Sequence, residues 1–279
     1  MTVHVVVPVF NRLALTQSLV TCLREQVVDE PMRICIVDDG STDGTANWLA
    51  NQPDLHALQG DGTLFWGGAV DHALKALHDI AAPQDWVLLM NNDTQVKPDF
   101  VQHLLHTARA HAPAAVGSVI RDQSAPERLL SLGARIDPWR LLTSDLLDQG
   151  VSPNSTSIQT VDALSGRGVL FPWASLKAAG GMRPRCLPHY LADYEVSLRV
   201  RKSGWQLMVS TQAAVYSEDE YGSARRALSW RDKWLSVRSP AYLPAWIVFW
   251  WEASSWLQRL TLPLRLPLFI VFPRLRQHA

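Results

Sequence analysis

Carboxylates stand where three short stretches of this chain turn from apolar to polar. Asp38-Asp39 follows residues 33–37, Asn91-Asn92-Asp93 follows residues 86–90, and Asp193 lies in a loop-to-helix stretch, 187–204, just after Pro188 and His189. A carboxylate held where a loop meets a helix N-terminus suits a general base. Carboxylates that follow a strand suit a hard divalent cation bridging phosphate oxygens. Asp193 reads equally well as a plain helix N-cap, a position that Asp favours. The helix it opens has apolar contacts in Val196, Leu198 and Val200, basic Arg199, Arg201 and Lys202 towards its end, and Gly204 as a stop.

Such groups converge only if the fold brings them together. Val3–Val9 is a near-continuous β-branched run, a strand buried on both faces and broken by Pro8 and Asn11. Leu15, Leu19, Cys22 and Leu23 recur at helical spacing. Further strands are predicted at 33–37, 55–58 and 86–90. The helices between and after them run through Trp48 and Leu49, then Ala69, Val70, Ala73, Leu74 and Leu77, then Phe100, Val101, Leu104, Leu105 and Ala108 behind Pro98-Asp99. Strand and helix alternate four times in about 110 residues, which predicts βαβ units and a mainly parallel sheet. Ligands of such sheets bind beyond the carboxyl ends of the strands, where Asn11, Asp38, Asp39 and 91–93 all fall. The first strand leads into Pro-Val-Phe-Asn-Arg rather than GxGxxG, and no GxxxxGK[ST] occurs. These absences argue against a nicotinamide or flavin site and a P-loop, so phosphates must be held some other way, and carboxylates after a strand suggest a divalent metal.

Beyond Ala114 the pattern predicts strands at 114–120, 129–135, 206–210 and 213–216. Ser165-Gly166-Arg167-Gly168 lies between apolar runs at 161–164 and 169–171, a helix follows at 174–179, and 150–157 reads as a loop. The 279 residues are 47% hydrophobic, enough core for one large or two small domains. Formal charge sums to zero but is unevenly spread: residues 225–279 carry 9 Lys+Arg against 2 Asp+Glu and six of the twelve Trp, leaving the rest at −7. We therefore divide the chain into a domain over 1–224 and a basic, Trp-rich helical tail over 225–279. Ser239–Trp251 is thirteen residues without charge, short of the roughly 20 that a spanning helix needs. It suits a helix lying in a membrane interface, with an ordinary helical cap or a contact between copies of the chain as alternatives. Cys22, Cys35 and Cys186 lack metal spacing; the first two read as core residues, and an odd count favours a reducing compartment. The N-terminus enters a strand at once, so no signal peptide is expected. The expected location is cytoplasmic, peripheral at the inner face of the cell membrane.

Three motifs, Val-Val-Val-Pro-Val-Phe-Asn-Arg at 5–12, Ile-Val-Asp-Asp-Gly-Ser-Thr-Asp-Gly-Thr at 36–45 and Leu-Leu-Met-Asn-Asn-Asp-Thr at 88–94, occur in order with the Asp193 stretch. Together they resemble family 2 glycosyltransferases over roughly residues 3–216, and in particular bacterial rhamnosyltransferase-like enzymes of cell-envelope polysaccharides. The resemblance implies an α/β fold of the GT-A type that binds a nucleoside-diphosphate sugar, needs Mg²⁺ or Mn²⁺, and inverts the anomeric carbon. The acceptor it implies is a glycan or a lipid-linked glycan; no nucleic-acid partner is expected.

Matched to this sequence, the resemblance places the backbone of Val9, with Asn11 beside it, and one carboxylate of Asp38 or Asp39 at the nucleobase. Asp93 is the implied metal ligand. Asn91 stands where the family has a carboxylate, so one charge is lost. Asp193 matches the base that takes the acceptor proton, and Ala192 replaces the Glu that normally precedes it. Glu195 reads either as its neighbour in the site or as an i,i+4 partner of Arg199. Trp66 suits a sugar platform or the core, Asp71 a donor contact or a pair with Lys75, and Arg167 the diphosphate or a surface loop. His189 suits an orienting role or a structural hydrogen bond. Many relatives carry a late His as a further metal ligand, where this chain reads Val215-Tyr216-Ser217-Glu218. Two rival functions follow from the same residues. Asn91 and Ala192 favour a non-catalytic sugar-binding scaffold, whereas a nucleotidyltransferase would need a Gly-rich basic loop that 8–12 lacks.

Overall fold

The computed structural model describes residues 1–151, 158–218 and 229–272. Most of the expected 150–157 loop and both ends of the tail, 225–228 and 273–279, lie outside the described residues. The first half alternates as predicted: β1 (Val3–Val9), α1 (Leu13–Arg24), β2 (Met32–Asp38), α2 (Thr45–Leu49), β3 (Leu55–Gln59), α3 (Phe65–Leu77), β4 (Trp86–Leu89), β5 (Thr94–Val96) and α4 (Phe100–Ala110). The second half adds β6 (Ala114–Asp122), β7 (Leu129–Ser131), β8 (Ala134–Asp137), β9 (Leu142–Asp145), β10 (Gln159–Thr160), β11 (Val169–Pro172), α5 (Trp173–Ala179), α6 (Ala192–Lys202) and β12 (Gln206–Ser217). Helices α7 (Trp230–Leu235), α8 (Leu243–Ala253) and α9 (Trp256–Val271) end the described chain.

One sheet runs β10-β12-β6-β11-β4-β1-β2-β3, with β5 beside β12 and β7 beside β6. Strands β3, β2, β1 and β4 are mutually parallel, as are β12 and β6, while β11 runs antiparallel between β4 and β6. Because β11 is reversed, the loop that precedes it emerges beside the carboxyl ends of β4 and β1. That single reversal brings residues 165–167 next to residues 91–93.

Alternate residues of the buried strands feed two cores. Val3, Val5, Val7 and Val9 pack with α1 and α4 on one face. Val6 and Val37 face α3, α6, α8 and α9 on the other. Helices on both sides explain why these strands read as continuous apolar runs.

Several expectations need correction. Pro8 does not end β1: it pairs with Val37, and it lies past Val6, the last residue paired with β4, so its missing N–H costs no hydrogen bond there. Leu15 is 41% exposed, and Cys22 is half-buried rather than core. Cys35 is buried as expected, and burial pushes its thiol up to about 12. Expected strands at 206–210 and 213–216 are one strand, β12, whose register shifts between Ser210 and Ala214.

Candidate active site

Loops at the carboxyl end of the sheet close around one cavity of about 960 Å³. Val9, Asp39, Trp66, Asn91, Asp93, Arg167, His189 and Asp193 all line it. Asn11 and Asp38 do not line it; they build the wall. Asn11 Oδ1 accepts from the Thr42 N–H at 2.8 Å, and its own N–H donates to Ser41 Oγ at 2.7 Å. Asp38 Oδ1 accepts from the Ser41 N–H at 2.9 Å. Asp43 accepts from the N–H and hydroxyl of Thr45 and from the Leu13 N–H, which ties the first residues of α2 and α1 together.

Asp39 organises the neighbouring loop. One of its oxygens accepts from Gly62 and Leu64 and the other from Phe65, all backbone amides at 2.9–3.2 Å. The start of α3 is thereby fixed, and with it Trp66. Trp66 Nε1 donates to Asn91 Oδ1 at 2.9 Å, so the amide that replaces a carboxylate is committed to the indole. The six-membered ring of Trp66 lies on Gly166, where an added Cβ would stand 2.3 Å from Trp66 Cζ2. Gly67 is pressed as closely: its N–H donates to the Pro188 carbonyl at 2.7 Å, and a Cβ there would meet the Leu187 carbonyl oxygen at 2.4 Å. These contacts lock α3 to the loop that carries His189.

Asp93 sits opposite a cation of the chain itself. Its Oδ2 accepts from Arg12 Nη1 at 2.9 Å, while Oδ1 is buried without a hydrogen-bond partner. Sequence reading missed Arg12. Its side chain reaches Asp93 because Asn11 and Arg12 both adopt left-handed backbone conformations, which no local pattern announces. Among the described residues no three His, Cys, Asp or Glu side chains cluster to cage a metal. One orphaned carboxylate oxygen on the cavity wall still fits Mg²⁺ or Mn²⁺, ions that take one or two carboxylates and complete their shell with phosphates and water.

Asp193 is not an N-cap. It lies one residue inside α6, whose flanking residue is Leu191 and which has no side-chain cap. Its Oδ2 accepts from the Gly166 N–H and its Oδ1 from the Tyr194 N–H, both at 2.9 Å. Burial deep in the cavity raises its carboxyl above the ordinary range, against the opposing pull of the two amides and the Arg167 charge. Arg167 Nη1 in turn reaches Ser217 Oγ at 3.5 Å. Glu195 faces away: Arg199 bonds both of its oxygens, at 2.8 and 2.7 Å, and Arg183 adds a contact at 2.9 Å. Asp71 is likewise paired with Lys75 at 2.7 Å and does not line the cavity.

A parallel-rich sheet with its polar loops gathered at one end, flanked by C-terminal helices, is the GT-A glycosyltransferase fold. GalNAc-T7 bound to UDP, GalNAc and Mn²⁺ superposes with a TM-score of 0.62 at 12% identity over 78% of this chain, which spans 44% of that protein. The mannosyltransferase PcManGT of Pyrobaculum calidifontis, bound to GDP-Man and Mn²⁺, gives 0.56 at 15% identity over 96% of this chain and 75% of its own. The sequence narrows the class: residues 4–161 match glycosyl transferase family 2, and the chain belongs to that family. It is 25% identical over 221 residues to the N-acetylglucosaminyl-diphospho-decaprenol L-rhamnosyltransferase of Mycobacterium tuberculosis, covering 71% of this chain and 70% of that one.

Proposed function

We propose that this glycosyltransferase moves a sugar, with inversion, from a nucleoside-diphosphate sugar to a hydroxyl of a lipid-linked or polysaccharide acceptor. The observation that carries the reading is Asp193: a carboxyl of raised proton affinity, held by two amides, on the same cavity wall as Asp39 and Asp93. The acceptor oxygen attacks the anomeric carbon, its proton passes to Asp193, and the bond from that carbon to the diphosphate oxygen breaks. No covalent intermediate is needed. Asp39 offers the nucleobase one acceptor site: a carboxylate has about four, and three serve loop amides. Val9 lines the base end, and Trp66 lies against the sugar. Arg12 and Arg167 face the diphosphate. Mg²⁺ or Mn²⁺, when bound at Asp93, supplies positive charge to the leaving diphosphate.

The name of the mycobacterial relative supports an acceptor carried on a lipid. We assign catalysis to residues 1–224 and place the protein at the cytoplasmic membrane face, held through the tail. A second reading, a non-catalytic sugar-binding scaffold, is favoured by Asn91, a neutral residue that leaves the metal loop one carboxylate short and whose Oδ1 already accepts from Trp66. A hydrolysis screen of UDP-, dTDP- and GDP-sugars with Mn²⁺ separates the two. The expected result is turnover of at least one donor, with Asp93→Ala weakening donor binding at least tenfold. No turnover of any donor, with binding untouched in Asp93→Ala, removes the enzyme reading.

A further inference from the structure

Two loops that meet at the cavity share a charge pair. Arg12, whose side chain is 51% exposed, places Nη1 2.9 Å from Oδ2 of Asp93, whose side chain is 14% exposed. Both residues line the cavity. Oδ1 of Asp93 is buried and accepts no hydrogen bond, so Oδ2 is the oxygen through which this carboxylate meets the cavity, and a guanidinium already stands on it. A second cation that approaches Asp93 meets the first, and like charges a few ångströms apart repel.

The charge pair is not what holds the two loops together. Asn92 is 8% exposed, and its Nδ2 donates to the Thr16 hydroxyl at 3.1 Å and to the Asn11 carbonyl at 3.4 Å. The Thr94 hydroxyl donates to the Asn91 carbonyl at 2.6 Å. The Arg12 backbone is fixed separately: its carbonyl accepts from the Leu15 and Thr16 amides, both at 3.1 Å, in the first turn of α1. An ion pair with a half-exposed partner contributes little to stability. The Arg12 side chain can therefore leave Asp93 while its backbone, α1 and residues 91–93 stay in place.

We propose that Arg12 is a latch on the metal position. Its guanidinium holds the Asp93 carboxylate as a built-in cation and competes there with Mg²⁺ or Mn²⁺. A nucleoside diphosphate in the cavity offers the guanidinium a second anion, with two oxygens that match its fork, and draws it off Asp93. The carboxylate thus becomes available to a metal together with the donor and not ahead of it. The inference rests on the donor and metal sites of the transferase reading above and adds the order in which they fill.

The test measures Mn²⁺ binding to the full chain by loss of the free-ion electron paramagnetic resonance signal, first without nucleotide. Arg12→Asn removes the charge with a side chain that tolerates the left-handed backbone held there, φ 65°. It should bind Mn²⁺ at least tenfold more tightly than the unaltered chain, and Arg12→Gln should do the same. Arg12→Lys, which keeps the charge, should stay within threefold of the unaltered chain. Adding Asp93→Ala to Arg12→Asn should abolish the gain. With saturating UDP, GDP or dTDP, the gap between the unaltered chain and Arg12→Asn should close to within threefold for at least one nucleotide. Mn²⁺ held by the nucleotide in solution is common to both chains and cancels. A damaged loop would lose affinity, so a gain separates the latch from a structural role. Equal or weaker binding in both neutral variants, a gain as large in Arg12→Lys, a gain that survives Asp93→Ala, or a gap that persists with all three nucleotides overturns the latch and leaves the metal site standing. Mn²⁺ binding by none of these chains, with or without nucleotide, removes the metal from the transferase reading and the latch with it.

Discussion

At the scale of single residues, the proposed chemistry depends on how Asp193 is held. Burial disfavours its charged form, and a base must be ionised to accept a proton. The transfer rate should therefore fall as pH drops through a carboxyl raised above the ordinary value near 4. Arg167 opposes that rise, so Arg167→Ala should move the acidic limb of the kcat profile to still higher pH; an unchanged limb would show that some other group titrates. Gly166 couples Asp193 to Trp66, because its N–H binds Asp193 and its α-carbon lies under the indole. A rigid indole 2.3 Å from a new Cβ must move. Gly166→Ala should lower kcat/KM by at least tenfold, about 1.4 kcal/mol of transition-state binding, and the displaced indole should lower the melting temperature as well. Steady-state kinetics on purified variants check both.

Among the elements, α6 matters most, because it carries Asp193 and is pinned from below. Arg199 bonds Glu195 and the carbonyls of Ala179 and Gly181, which fastens α6 to the end of α5. Arg199→Ala leaves Glu195 buried with only the half-exposed Arg183 as its cation, and should cost about 3–5 kcal/mol in urea unfolding. Much of this architecture was legible in the sequence. The β1, β2 and β4 strands announce themselves because they are buried on both faces, and α3 and α4 because their apolar residues recur on one side. Glu195 was also legible as a partner of Arg199, four residues on. The Arg12–Asp93 contact was not, since it joins residues 81 apart through a left-handed turn. Nor was the role of α8. Its residues from Leu243 to Trp251 are uncharged and apolar nearly all round, so no periodicity shows which side faces the body. In the structure Ala245, Phe249 and Trp250 pack into the core with α6, and burying Phe249 contributes roughly 1.5–3 kcal/mol. The other side of α8 leaves Ile247 and Trp251 about half exposed.

For the whole molecule, the longest exposed apolar stripe of the tail is the outside of α9. Its inner side buries Leu262, Leu266 and Phe269. Its outer side shows Leu257, Leu260, Leu264, Leu268 and Val271, with Leu264 76% exposed. Among the described residues no helix is long and apolar enough to cross a membrane, but a stripe of this kind on a tail of net charge +7 matches an anionic bilayer surface. The double substitution Leu260→Asp and Leu264→Asp should release the protein from phosphatidylglycerol vesicles in flotation assays, and persistent flotation would refute the tail anchor. The same tail also walls the cavity, so on the proposed reading the molecule would bring a lipid-carried acceptor to Asp193 at the start of α6. That base is the central claim, and Asp193→Asn tests it most directly. With a donor that the unaltered enzyme uses, we expect transfer to fall by at least a thousandfold while the dissociation constant for the nucleotide sugar stays within threefold. Retained transfer, or loss of donor binding in its place, would contradict the account.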